Sequence, residues 1–80
     1  MARYHVRFIH KISPRDTDVA TAEIRDEAFS DRKTLGAALR KGGILCSGER
    51  LITFRVEGAK IVAFPQATIW HSIILERAAP

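Results

Sequence analysis

The sequence predicts a small two-layer α+β fold: a mostly antiparallel sheet of about four to six strands with one helix packed on one face. Three observations carry that prediction. Period-two alternation of apolar and polar residues recurs in separate runs at both ends of the chain, as in RYHVRFIHKI and LITFRV. Only FSDRKTLGAALRKGG carries a helical stripe with start and stop signals. The connections between the alternating runs are short, which favours antiparallel pairing. The expected order is β-β-α-β-β-β in a single domain spanning residues 1–80.

The elements follow in order. In the first strand Tyr4, Val6, Phe8 and His10 share one face, with Ile12 beyond, and His5, Arg7, Ile9 and Lys11 share the other. SPRDTD, with Pro14 and two aspartates, reads as a turn. VATAEIRDEAF reads as a second strand paired with the first, with Ala20, Ala22 and Ile24 on one face. Its alanines are poor strand formers, and its β-branched Thr21 and Ile24 favour the strand. The helix is predicted over about Asp31 to Lys41. Ser30 or Asp31 caps it, Leu35, Ala38 and Leu39 form its stripe, and Gly42 and Gly43 stop it. Its leucines are expected to pack on Phe54, Val56 and Ile61. Gly36 weakens the helix and is expected where helix and sheet approach closely. ILC is an additional short strand candidate, and CSGE a turn.

In LITFRVE, strict alternation sends Ile52, Phe54 and Val56 one way and Leu51, Thr53, Arg55 and Glu57 the other. EGAK is a tight reversal. KIVAF is a strand ended by Pro65, which cannot donate to a ladder. ATIWHSIILE is the last strand, with Ile69, His71, Ile73 and Leu75 on one face and Trp70, Ser72, Ile74 and Glu76 on the other. One helix covers one sheet face, so Ile9, Leu51, Trp70 and Ile74 cannot all lie inside.

Composition narrows the function classes. The apolar share of 46% argues against disorder. No run approaches a membrane span, and MARYHVRFIHK lacks the apolar stretch of a secretory signal. A single cysteine suits a reducing, cytoplasmic setting. The net charge is +4. Residues 1–15 hold Arg3, Arg7, Lys11 and Arg15 with no acid, and the next stretch holds Asp16, Asp18, Glu23, Asp26, Glu27 and Asp31 against Arg25. A basic first strand and an acidic second one would partly neutralise each other across a ladder.

Catalytic, metal and cofactor chemistry finds no footing. EGAK and RKGG are too short for a phosphate loop and precede no helix. His5, His10, His71 and Cys46 lie at no metal-ligand spacing. Cys46 reads as a small buried hydrophobe beside Ile44 and Leu45, not as a nucleophile, and His71 as a core histidine. No catalytic residue, metal or small-molecule cofactor is expected.

Two classes of function remain. The first is a non-enzymatic protein-binding module, such as an inhibitor, an accessory factor or a self-associating subunit that meets a protein partner or a second copy of itself. The first strand, if it sits at an edge, would accept another strand. The second is a nucleic-acid binder that contacts phosphates through the basic first strand and hairpin. No helix-turn-helix or RNA-type aromatic sheet motif supports it. The candidate binding residues are Arg3, His5, Arg7, Ile9, Lys11 and Arg15 in and after the first strand. Arg55 and Lys60 flank the hairpin, and Trp70 is an anchor if its face is open.

Overall fold

A computed structural model describes residues 2–15, 17–66 and 69–78. Its five strands are β1 (Ala2–His10), β2 (Thr17–Ile24), β3 (Leu51–Glu57), β4 (Lys60–Pro65) and β5 (Trp70–Arg77). Helix α1 (Arg32–Lys41) connects β2 to β3 and follows a 3-10 turn over Asp26–Ser30. The strands form one sheet in the order β2-β1-β5-β4-β3, with every neighbouring pair antiparallel. The α+β class and the element order are those the sequence predicts. The expected start of the last strand at Ala67 and Thr68 lies outside the described residues.

The first strand is not at an edge. β1 sits between β2 and β5, and the edges are β2 and β3. The β1–β5 pairing joins the two ends of the chain, so no local pattern reports it. β3 and β4 turn through Gly58 and Ala59, and Gly58 holds φ at 66°, a conformation favourable to glycine in two-residue hairpin loops.

Asp31 caps the helix. Its Oδ1 accepts from the Thr34 backbone N–H at 2.8 Å and its Oδ2 from the Thr34 hydroxyl at 3.0 Å. Those hydrogen bonds hold its carboxyl below the usual aspartate range. At the other end the Gly42 N–H donates to the Ala38 carbonyl, and Gly43 takes a φ of 78° to turn the chain away. Ile44 and Leu45 both donate to the Leu39 carbonyl, and ILC is therefore a helix-terminal loop, not a strand.

Leu35 and Leu39 are fully buried and share one core with Tyr4, Val6, Ile24, Leu51, Ile61, Ile73 and Leu75. The Tyr4 ring lies 5.4 Å from that of Phe29, and burial raises its phenol pKa. Phe54 packs on this core as expected, but Val56 is 60% exposed. Val56 stands opposite the core residue Ile61 on the outermost strand, where the neighbouring ladder covers it on one side only.

Two register shifts rearrange the expected faces. On β3, Leu51 pairs with Pro65 and Thr53 with Phe64, so Ile52 is an extra, bulged residue. The bulge puts Leu51 on the same face as Phe54, buries Leu51 and leaves Ile52 exposed. On β5, Ile9 pairs with Ser72 and His10 with Trp70, so His71 is the extra residue. Trp70 therefore shares the helix-side face with Phe8 and His10, its ring 5.1 Å and 4.6 Å from theirs. His71 is exposed and is not a core histidine.

Gly36 is buried in the middle of α1. A Cβ built there would sit 3.6 Å from Arg40 Nη1 and 3.9 Å from the Leu51 N, ordinary contact distances. The approach is close but not prohibitive. Gly36→Ala is expected to stabilise the fold by about 0.5–1 kcal/mol through helix propensity, read by urea denaturation. A loss of stability would mean that the helix cannot accept even a methyl there.

Candidate functional site

The antiparallel ladder sets the site. With α1 on one face, the other face of all five strands has no covering element among the described residues. Cross-strand pairing places Val19, Arg7, Ile74, Val62 and Arg55 in one row across the whole sheet. The adjacent row runs Thr21, His5, Glu76, Lys60, Glu57. Beyond the first row, Ile9 pairs with Ser72, and Phe64 with Thr53. Ile74 and Val62 form an apolar strip at the centre of this open face, flanked by Arg7 and Arg55 in its own row and by a charged row on one side.

Long side chains partly shield that centre. The Arg55 guanidinium lies 5.3 Å from the centroid of the Phe64 ring and pairs with Glu57. The Arg7 guanidinium donates to Glu76 Oε1 at 2.9 Å. Val62 is only 8% exposed even though it belongs to the open face. The guanidinium stems lie along apolar surface and keep their heads in water.

Of the expected binding residues, Arg3, His5, Arg7 and Ile9 fall on this face, and Arg55 and Lys60 join them from β3 and β4. Lys11 and Arg15 lie past the end of β1 in the β1–β2 connection. Trp70 is turned away, to the helix side. The expected partial neutralisation of the basic strand by the acidic one is limited to one arginine among the described residues. Arg3 meets Glu23 at 3.7 Å, and the His10 imidazole stands 3.9 Å from the Asp18 carboxylate. Arg7 finds Glu76 on β5, a partner the sequence does not suggest.

Val62 and Phe64 were not among the expected site residues. Their signal is the run IVAF, which breaks period two because the open-face positions Val62 and Phe64 are apolar as well as the core-face positions Ile61 and Ala63.

Cys46 is exposed, in contrast to its buried neighbours Ile44 and Leu45. Its N–H donates to Glu49 Oε1 at 2.7 Å, and the Glu49 charge pushes the thiol pKa up. A raised pKa lowers the thiolate fraction at neutral pH. Cys46 is expected to alkylate more slowly than free cysteine, and Glu49→Gln is expected to speed it up. Faster-than-free reaction in the unaltered chain would contradict this.

An apolar groove of about 630 Å³ lies between the end of β2 and α1, where Ile24, Ala28 and Ala38 form its walls. Glu23, Arg25, Glu27 and Lys41 border it with balanced charge. Among the described residues no three His, Cys, Asp or Glu side chains gather as a metal site, and no helix is long and apolar enough to cross a membrane. No family model, curated protein or solved structure matches this chain.

Proposed function

We propose that this chain is a non-enzymatic protein-binding module that docks a second copy of itself through the open face of its sheet. The observation that carries the reading is the cross-strand row with Ile74 and Val62 at its centre, on a face that no element covers. An antiparallel sheet can leave one face to water, so the reading rests on the apolar strip beside a charged row, which is the anatomy of an interface core and its rim.

One charged row of the face is complementary to itself. Read in reverse, as a two-fold-related copy presents it, His5–Glu76–Lys60–Glu57 meets itself as Glu57–Lys60–Glu76–His5. Each carboxylate then faces an ammonium or an imidazole, and the same rotation sets Ile74 opposite Val62 and Arg7 opposite Arg55, each guanidinium held by a carboxylate of its own chain. Five strands spaced about 4.8 Å apart and about 25 Å long give a footprint on the order of 500 Å². That is near the lower bound for a specific interface.

Phosphate-backbone binding on this face is the weaker reading. Arg3, Arg7 and Arg55 are each turned to a carboxylate of their own chain, which leaves little net field.

Sedimentation equilibrium tests the proposal. A reversible dimer is expected at micromolar concentration, and Ile74→Glu is expected to convert it to monomer with an unchanged circular dichroism spectrum. A chain that stays monomeric throughout, or a dimer indifferent to Ile74→Glu, would overturn it.

A further inference from the structure

We propose a second binding site, on the opposite layer: an anion site for the phosphoryl group of a small phosphorylated ligand, between α1 and the start of β3. It is a depression of about 260 Å³ lined by Arg32, Lys33, Arg40, Arg50 and Leu51. Four cations from two ends of a helix and from the following loop meet there, and no carboxylate lines it.

The convergence is built by the backbone. Arg32 Nη1 donates to the Leu51 carbonyl at 3.2 Å, and Arg40 Nη1 to the Glu49 carbonyl at 2.8 Å. Arg40 comes from the last turn of α1 and Arg32 from the first, yet both guanidinium groups reach the same short segment, residues 49–51. Buried Gly36 lies between them on the helix. Arg40 Nη1 is 3.6 Å from where a Cβ of residue 36 would be, so the guanidinium lies along the helix surface at this position. Each anchored guanidinium spends one donor nitrogen on the carbonyl and keeps further N–H groups for a ligand.

Electrostatics sets the ligand's sign. None of the four cations has a carboxylate partner among the described residues, whereas Arg3, Arg7, Arg55 and Arg77 each pair with one. Arg32 and Lys33 occupy the first helical turn, where the macrodipole disfavours positive charge. The nearby Asp31 carboxylate caps the helix through Thr34, does not line the depression, and offsets part of the positive charge beside it. A planar fork fits phosphate oxygens two at a time, which favours phosphate over a simple halide. The size of the depression suits one or two phosphoryl groups, not an extended strand.

Inorganic pyrophosphate is the probe, titrated into the full chain at low salt by calorimetry and by amide NMR shifts. Saturable binding with a dissociation constant below about 1 mM is expected, with the largest shifts at Arg32, Lys33, Arg50 and Leu51. The double variant Arg40→Gln with Arg50→Gln is expected to weaken binding at least about tenfold. Lys41→Gln removes the same kind of charge from the far side of the helix, at the border of the apolar groove, and is expected to change affinity little. Thermal unfolding gives a second reading, since pyrophosphate should raise the melting temperature of the unaltered chain and not of the double variant. Absence of saturable binding would overturn the site. So would an equal loss in Lys41→Gln, which would mark a diffuse charge effect. Preference for a single-stranded oligonucleotide or an acidic peptide over pyrophosphate, lost in the double variant, would reassign the depression to a macromolecular partner and overturn the small-ligand proposal.

Discussion

Leu39→Ala is expected to cost about 2–4 kcal/mol of folding stability. The residue is fully buried, and with Leu35 it supplies the large side chains that fasten α1 to the sheet. A ten-residue helix is marginal by itself, so its stability comes from this contact. Truncation removes transfer free energy and leaves a cavity that the sheet backbone cannot collapse to fill. A chain of this size is expected to have net stability of roughly 4–12 kcal/mol. The substitution therefore takes a large fraction of the whole, and the melting temperature should fall by about 10 °C or more. Urea denaturation at unchanged slope is the measurement. A loss under about 1 kcal/mol would mean that α1 is not fastened to the sheet through Leu39.

That contact was legible in the sequence because a helix announces itself locally. Asp31, the Leu35–Leu39 stripe and Gly42 all lie within one short window, and α1 begins and ends within a residue of the expected limits. The strands were legible for the same reason, since alternation is a property of neighbours. What was not legible is non-local. That β1 is central follows from its pairing with β5, some seventy residues along, as between Arg7 and Ile74. Arg3 of the basic β1 does meet Glu23 of the acidic β2, but Arg7 pairs with Glu76, which comes from the far end of the chain.

The bulges are the second reason. Alternation assumes an unbroken ladder, and one extra residue reverses every face beyond it. Ile52 and His71 each do this. Leu51 thereby enters the core and Trp70 leaves the face shared by Ile74. Neither position carries the glycine that often marks a bulge, so no residue type betrays it. The cationic depression escaped for a third reason. Arg32, Arg40 and Arg50 read singly as solvated surface charges, and only the fold brings their side chains to the segment before β3.

Ile73→Glu is expected to unfold the chain, while Ile74→Glu leaves it folded. Two adjacent isoleucines with opposite outcomes are the sharpest consequence of the two-faced sheet. Ile73 pairs with Phe8 and Ala63 on the helix side, and none of its surface reaches water. Placing a carboxylate there costs the lost apolar burial, about 2–3 kcal/mol, together with several more for a desolvated charge without a partner. Together these rival the total stability expected for eighty residues. Ile74 stands in the open row between Arg7 and Val62 and is only partly buried. A carboxylate there remains near water and directly opposite the Arg7 guanidinium, an opposite-charge pair across the ladder. Its expected effect on stability is within about 1 kcal/mol, and its effect on the proposed dimer is the loss of the apolar centre. Far-ultraviolet circular dichroism and thermal melts of the two variants side by side decide the matter. A folded Ile73→Glu, or an unfolded Ile74→Glu, would reverse the assignment of faces on β5 and remove the basis for docking through the open one.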